Sequence, residues 1–123
     1  MSLAVSVQRE GDLLVVVAQG RASLADFRAF VDTIATICTD EQRHRVLANL
    51  LEVDQDLAFT DHLQLGVYVA EKLGSIAKMA TVVAPQYRSG NSERAAQKSG
   101  MKLRTFLSVT EARDWLDEPG ESA

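Results

Sequence analysis

The chain has 123 residues, of which 46% are hydrophobic and 24% charged, and its net charge at pH 7 is −4. This length is typical of one domain, and the composition excludes a largely disordered protein. The acidic balance argues against a general nucleic-acid-binding protein, because such proteins are usually basic.

Two further properties of the whole chain bear on its location and chemistry. No stretch approaches the roughly 20 consecutive apolar residues of a membrane span, and residues 1–4 lack the basic start of a secretory signal. We therefore expect a cytoplasmic protein without a membrane span. The single cysteine, Cys38, cannot form an internal disulfide, and we expect it to be buried on the apolar side of a helix.

The N-terminal residues predict a β-hairpin. Leu3, Val5 and Val7 alternate with smaller or polar residues, which is the period of a half-buried strand. Residues 10–12 contain a glycine and predict a tight turn, and the continuous apolar run at 13–18 predicts a strand covered on both faces.

A helix and a central strand follow the hairpin. Ser23 and Asp26 have the spacing of a capping box, and apolar residues recur at helical spacing, so we predict a helix at 24–38. The apolar run at 46–53 predicts the central strand, which we expect the polar residues 54–56 to break.

The second half of the chain alternates between helices and strands. Thr60 can cap a helix over residues 61–73, called here the Thr60 helix, and Gly74 suits the position just after its end. The remaining predicted elements are a strand at 79–84, a weak helix at 93–99, a strand at 102–107 and a last helix that follows a capping box at 108–111.

The predicted order of elements is therefore β-β-α-β-α-β-α-β-α. Strands that alternate with helices are joined by right-handed crossovers and form largely parallel sheets. We predict an α/β fold with a single mixed, mostly parallel sheet, an antiparallel N-terminal hairpin and about four helices. One domain is expected at residues 1–116, followed by a frayed acidic tail at 117–123.

The Thr60 helix carries apolar residues on more than one side. Its predicted core stripe consists of Leu63, Gly66, Val67, Ala70 and Leu73. This assignment leaves Leu65 and Val69 on the opposite side, beside His62 and Tyr68, where a surface helix normally carries charged residues. Such a face indicates a surface for another protein, a second copy or an apolar ligand. The alternatives are that neighbouring loops cover these residues or that the core stripe is rotated.

Charged residues cluster in two other places. The acidic residues between positions 52 and 61 lack the glycine and the final glutamate of a calcium-binding loop, so we expect a solvated loop and no metal site. Residues 75–104 contain six basic residues and one acidic residue. Within them, Arg88 and Arg94 flank the start of a helix and are a candidate anion-binding site, with a solvated basic face as the alternative.

Three segments resemble a known family. They are residues 20–27, residues 45–50 leading into the acidic loop and the Thr60 helix, and residues 109–116, which resemble a closing helix of the pattern EA-x-x-WL. Together with the order of elements, they resemble the STAS-like group of bacterial anti-sigma-factor antagonists, especially its SpoIIAA-like branch of small stand-alone proteins. The resemblance covers residues 3–116 and bears on the fold more strongly than on the function.

One departure from the pattern of this family concerns phosphorylation. The anti-sigma-factor antagonists carry an Asp-Ser motif, phosphorylated on its serine, at the start of the corresponding helix. Here residues 57–62 read Leu-Ala-Phe-Thr-Asp-His, so Thr60 is the only hydroxyl at that place. Thr60 is therefore a candidate phosphorylation site, because a helix N-terminus favours anions, although the nearby acids would repel a phosphate. The alternative is a plain N-cap threonine.

The resemblance and the apolar face together predict a non-catalytic regulatory or scaffolding module without a cofactor. The expected interface, with another protein or with a second copy in a homodimer, consists of Thr60, His62, Leu65, Tyr68 and Val69.

Two other functions remain as alternatives. One is a carrier or sensor of an apolar or lipid-like small ligand, held in a cavity lined by Phe59, Leu63 and Tyr68. The other is an enzyme, whose site would combine the acidic loop with Arg88 or Arg94 and would need titrating groups with shifted pKa values.

Overall fold

The computed structural model describes residues 3–88 and 90–118 of the chain. These residues form five strands and four helices in the predicted order, with a short 3₁₀ turn at Pro85–Tyr87. The strands are β1 (Ala4–Glu10), β2 (Leu13–Ala22), β3 (Arg45–Gln55), β4 (Lys78–Val82) and β5 (Leu103–Phe106). The helices are α1 (Leu24–Glu41), α2 (Phe59–Leu73), α3 (Asn91–Lys98) and α4 (Val109–Asp117).

The predicted fold class is confirmed, since the strands form one mixed sheet in the order β1-β2-β3-β4-β5. β1 and β2 pair antiparallel around a two-residue turn in which Gly11 adopts a left-handed conformation with a φ of 62°. The other neighbours pair parallel, because a helix joins each strand to the next. The predicted division into a domain and a tail stays a prediction, and residues 119–123 lie outside the described residues.

The helices divide unequally between the two faces of the sheet. Each strand from β2 to β5 is added on the same side of the previous one, so right-handed crossovers place α1, α2 and α3 on one face. We call this the three-helix face. α4 follows the last strand and packs alone on the opposite face, called here the α4 face.

The central strands are buried on both faces, which is why they are continuous apolar runs. The buried residues of β2 and β3 in the core of the three-helix face are Leu14, Val16, Ala18, Ala22, Val46, Ala48, Leu50 and Val53. Those that point towards the α4 face are Leu13, Val15 and Leu47. Cys38 is buried on α1, as expected, and burial raises the pKa of its thiol.

β2 continues from the predicted end at residue 18 to Ala22, and α1 and β3 also extend further than their sequence patterns predict. α1 continues past Cys38 to Glu41, and the polar residues of its last turn lie on the exposed side of the helix. β3 continues to Gln55, although we expected residues 54–56 to break it, because its backbone still pairs with Arg21 and Ala22 of β2. In α1 and in β3, polar residues therefore continue the helix or the strand beyond its apolar run.

Candidate functional site

The start of α2 differs from the predicted one. The helix begins at Phe59, and the Asp61 carboxylate accepts a hydrogen bond of 2.9 Å from the Ala58 backbone amide. Thr60 lies exposed in the first turn. The expectation that Thr60 caps this helix is therefore wrong, because the chain turns into the helix two residues earlier.

The expected exposure of Leu65 and Val69 is also wrong. Their exposed fractions are 8% and 6%, and both side chains pack into the core of the three-helix face. The predicted core residues Leu63 and Val67 are instead 41% and 46% exposed. The core stripe is thus rotated, which is one of the alternatives left open above.

The close packing of α2 against α3 determines this rotation. A Cβ atom built on Gly66 would collide with the Ser92 carbonyl oxygen and the Ala95 side chain of α3. Only a residue without a side chain fits at this point, so the Gly66 side of α2 must face α3. Leu65 and Val69 then turn towards the sheet.

Three large apolar side chains lie exposed along the outer face of α2. Phe59 is 62% exposed, and Leu63 and Val67 follow it at intervals of four residues, one helical turn apart. We call these three residues the α2 strip. They are three of the five large apolar side chains that the described residues expose, with Val5 and Leu107 as the other two.

Tyr68 is half-buried beside the α2 strip and contacts α1. Its hydroxyl donates a hydrogen bond to Asp32, which raises the pKa of the tyrosine. The Arg28 guanidinium carbon and the Lys72 ammonium nitrogen each lie 5.6 Å from the centre of the ring. The contacts with Asp32 and Arg28 tie α2 to α1, so Tyr68 serves packing within this chain.

His62 is half-buried on the other side of α2, where it contacts α3. Its Nδ1 lies 3.2 Å from Ser92 Oγ, and the Ser92 hydroxyl donates a hydrogen bond of 3.0 Å to the His62 carbonyl oxygen. Burial lowers the pKa of His62 more than the neighbouring Asp61 raises it. Of the five predicted interface residues, Thr60 is thus the exposed one.

A cavity of about 90 Å³ lies beneath α2, on the side opposite the α2 strip. Its apolar wall includes Phe27, Phe30, Leu50, Leu65, Val69 and Leu103. Polar groups reach it from His62, Ser92, Glu93 and Thr105. The predicted ligand cavity lined by Phe59, Leu63 and Tyr68 is therefore misplaced, since Leu63 and Tyr68 line an open groove between α1 and α2.

The candidate anion site falls near the start of α3. Arg88 is exposed after the 3₁₀ turn, and the Arg94 guanidinium lies 3.5 Å from the Asn91 side-chain oxygen. Gly90 precedes α3 with a left-handed φ of 78°, which places the turn between the two arginines. A joint anion site of Arg88 and Arg94 stays a prediction.

The acidic residues before α2 take part in separate local contacts. The Tyr87 hydroxyl donates a hydrogen bond of 2.7 Å to Asp54, and Arg21 forms an ion pair of 3.5 Å with Asp56. Across the described part of the chain, no group of three or more histidine, cysteine or acidic side chains is arranged to hold a metal ion.

The family of the chain follows from its sequence match over almost all of this architecture. The model of the SpoIIAA-like family matches residues 13–117, from the start of β2 to the end of α4. The chain belongs to the SpoIIAA-like family.

Solved structures share the fold of this SpoIIAA-like protein at low sequence identity. An anti-sigma factor antagonist from Mycobacterium paratuberculosis is 16% identical, covers 95% of this chain and 96% of its own, and has a TM-score of 0.67. An uncharacterized protein with a SpoIIAA-like fold from Shewanella loihica PV-4 is 18% identical over 94% and 93% of the two chains, with a TM-score of 0.59. The Bacillus cell fate determinant SpoIIAA in its phosphorylated form is 15% identical over 91% and 98%, with a TM-score of 0.53. No curated protein sequence matches the chain.

These likenesses establish an architecture shared with anti-sigma factor antagonists, which is consistent with a protein-binding regulatory module. Among the described residues of this SpoIIAA-like protein, no helix has the length and apolar character needed to cross a membrane.

Proposed function

We propose that this SpoIIAA-like protein is a non-catalytic regulatory module that binds a protein of the anti-sigma-factor class through the α2 strip. The observation that carries the proposal is the exposure of Phe59, Leu63 and Val67 side by side on one helix. The similar structure from Mycobacterium paratuberculosis is an anti-sigma factor antagonist, which supports this class of partner.

Burial of the α2 strip is the physical source of the proposed affinity. Each large apolar side chain contributes about 1.5–3 kcal/mol when it is fully buried, and an aromatic anchor often dominates such an interface. Arg28, Gln64 and Glu71 border the groove beside the strip and supply a polar rim. The proposed interface keeps Thr60 from the sequence prediction and takes Leu63 and Val67 in place of Leu65 and Val69.

Purified anti-sigma factors of the source organism, measured one at a time, test this proposal. We expect at least one of them to bind the wild-type protein in biolayer interferometry, and Leu63→Asp or Val67→Asp to weaken that binding at least about tenfold. Leu107→Asp is the matched control, because Leu107 is also a large exposed apolar residue but lies after β5. Equal binding by all the variants, or no binding by any anti-sigma factor, would contradict the proposal.

Thr60 is the proposed switch for this interface. A phosphate on Thr60 would add almost two negative charges next to Phe59 and Leu63, where a partner must bury apolar surface. The start of α2 favours an anion, whereas Asp61 in the same turn opposes it. The similar phosphorylated SpoIIAA of Bacillus supports regulation of this kind.

Mass spectrometry of the protein isolated from its host tests the switch directly. We expect a phosphate on Thr60, and we expect Thr60→Glu to weaken binding of the same anti-sigma factor while Thr60→Val preserves it. An unmodified Thr60 under every growth condition, or full binding by Thr60→Glu, would remove Thr60 from the mechanism.

A carrier of a small apolar ligand is the second candidate function, and the cavity beneath α2 is the observation that favours it. Its volume of about 90 Å³ is well below the roughly 300 Å³ at which ligand pockets usually begin. A ligand would therefore have to be small and mostly apolar, unlike a lipid. Native mass spectrometry of protein from its own host would reveal such a molecule as added mass, and bare protein would count against it.

The proposal also keeps the expected cytoplasmic location, because the proposed partners act on sigma factors. Fractionation of host cells with an antibody against the protein tests this location, and recovery outside the cytoplasmic fraction would contradict it.

A further inference from the structure

The two edges of the sheet differ in how their backbone groups are satisfied. Along β5, the Thr105 amide donates a hydrogen bond of 2.7 Å to the Glu93 carboxylate. The Leu103 carbonyl oxygen accepts a hydrogen bond of 2.9 Å from the Gln97 side-chain amide. Glu93 and Gln97 lie one turn apart on α3, so this helix covers the edge of β5 with two side chains.

β1 forms the opposite edge and is open. Six of its seven residues are exposed. Glu10 and Leu13 flank the two-residue turn and therefore exchange backbone hydrogen bonds. Hydrogen-bonded and non-hydrogen-bonded pairs alternate along an antiparallel ladder, so the backbone N–H and C=O groups of Val5, Val7 and Arg9 point away from β2. Within residues 3–88 and 90–118, no hydrogen bond is made to these outward groups.

The sequence of β1 also lacks the usual protection of an exposed edge. Residues 3–8 contain no charged residue and no proline. The two charged side chains of the strand form ion pairs with the helices on either face of the sheet. Arg9 pairs with Glu41 of α1 at 2.7 Å, and Glu10 pairs with Arg113 of α4 at 3.0 Å. An unprotected strand edge with regular alternation is a template for another strand.

We propose that β1 pairs antiparallel with β1 of a second copy of this chain around a two-fold axis, which joins the two sheets into one of ten strands. The occupant is a second copy because the alternating neutral segment Ala-Val-Ser-Val-Gln of residues 4–8 is its own complement. This dimer uses a surface separate from the α2 strip, so its failure would leave the proposed function intact.

The side chains select one register for this pair. With Ser6 opposite Ser6 of the second copy, Val5 faces Val7 across the new strand boundary, and two pairs of β-branched residues form on the three-helix face. This contact covers Val5, one of the exposed large apolar residues. A register centred on Val7 would place Val5 opposite Arg9 and leave one apolar pair, Val7 with Val7. A register centred on Val5 would pair Val5 with Val5 but place Val7 opposite Leu3, which lies before the first residue of β1.

Cysteine cross-linking tests both the pairing and its register. Ser6 would form a non-hydrogen-bonded pair with its own copy, with Cα atoms about 4.5 Å apart, a separation that a disulfide can span. Gln8 points to the same face, but in this register two copies of Gln8 lie about 13 Å apart, which a disulfide cannot span. Ser6→Cys and Gln8→Cys are therefore matched variants, and each retains the buried Cys38.

We expect mild oxidation to give a disulfide-linked dimer of Ser6→Cys at a yield at least about tenfold above that of Gln8→Cys, measured by intact-mass spectrometry. Sedimentation of the wild-type protein should show a dimer whose population rises with concentration, and Val5→Lys should reduce it without changing the circular dichroism spectrum. A wild-type protein that stays monomeric, or equal cross-linking of the two cysteine variants, would overturn the proposal.

Discussion

On the three-helix face, α1, α2 and α3 cover the sheet mainly through apolar side chains, whereas on the α4 face a single nine-residue helix is anchored by cations from the strands. The apolar layer leaves the cavity beneath α2 and exposes the α2 strip. The packing of α4 depends more on geometry, because specific hydrogen bonds hold the C-terminal end of this helix.

Lys78 provides the main anchor of α4. It is the buried charged residue of the described core, and its ammonium group donates hydrogen bonds to the Trp115 carbonyl oxygen at 2.7 Å and to the Glu118 carbonyl oxygen at 3.1 Å. Arg45 likewise donates to the Leu116 carbonyl oxygen at 2.9 Å. α4 has no basic residue in its own last turn, so cations from β3 and β4 satisfy its terminal carbonyls.

This contrast teaches two things. The sequence of a helix that packs through apolar side chains can be compatible with more than one buried side, as in α2. The carbonyl groups at the end of a short helix, as in α4, need hydrogen-bond donors that lie far away in the chain. The predictions below disrupt the apolar packing of α2 or the hydrogen bonds at the end of α4, and the last one concerns an exposed ion pair of α1.

The largest expected effect is on the three-helix face. Leu65→Asp places a carboxylate in the core and should lower the free energy of unfolding by about 3–5 kcal/mol, because a buried charge without a partner is strongly unfavourable. Leu63→Asp, two residues away on the exposed side, should change it by less than about 0.5 kcal/mol. Urea unfolding measures both values, and equal effects would contradict the orientation of α2.

On the α4 face, Lys78→Met should lower the free energy of unfolding by about 3 kcal/mol, since the aliphatic part is kept while charged hydrogen bonds to two carbonyl oxygens are lost. Lys98→Met, at an exposed position of α3, is the control and should have little effect. The measurement is thermal unfolding followed by circular dichroism. A neutral Lys78→Met would mean that apolar contacts alone hold α4.

A smaller effect is expected at the contact between α2 and α3. Gly66→Ala should lower the free energy of unfolding by about 2 kcal/mol, because the added methyl group forces the two helices apart. Glu71→Ala, which also introduces alanine in α2 but at an exposed position, is the comparison. Denaturant unfolding of both variants tests this, and a stabilised Gly66→Ala would show that the helices are not in close contact.

The smallest expected effect is on the pH dependence of stability, through the ion pairs of Glu41 at the end of α1. Hydrogen bonds from Arg9 and Arg43 lower the pKa of Glu41 from 4.5 to about 2. A lowered pKa in the folded state means that this contribution to stability is complete above pH 4.5 and is lost as the pH falls towards 2. Glu41→Gln should therefore lose less stability than the wild type between pH 6 and pH 3, taken as round test values, in urea titrations.

The corresponding control is Glu52→Gln, which changes an exposed carboxylate on β3. If Glu41→Gln and the wild type lose stability in parallel on acidification, the ion pairs of Glu41 contribute nothing to the folded state.

The sequence by itself determined the order of elements, the mixed sheet and the helix caps at Ser23 and Ser108, both of which are observed. These features depend on local periodicity and on contacts within one turn, so residues close in the chain carry all the information. The resemblance to SpoIIAA-like proteins rested on the same features, and the family match bears it out.

Only the tertiary structure decided which side of α2 is buried. Leu63, Leu65, Val67 and Val69 alternate along the helix, so aliphatic residues occupy both of its sides and periodicity alone cannot choose between them. The choice was made by the contact of Gly66 with α3, a helix about 30 residues away in the chain. The anchoring of α4 by Lys78 and the unequal edges of the sheet are non-local for the same reason, since each depends on groups that meet only after the sheet has formed.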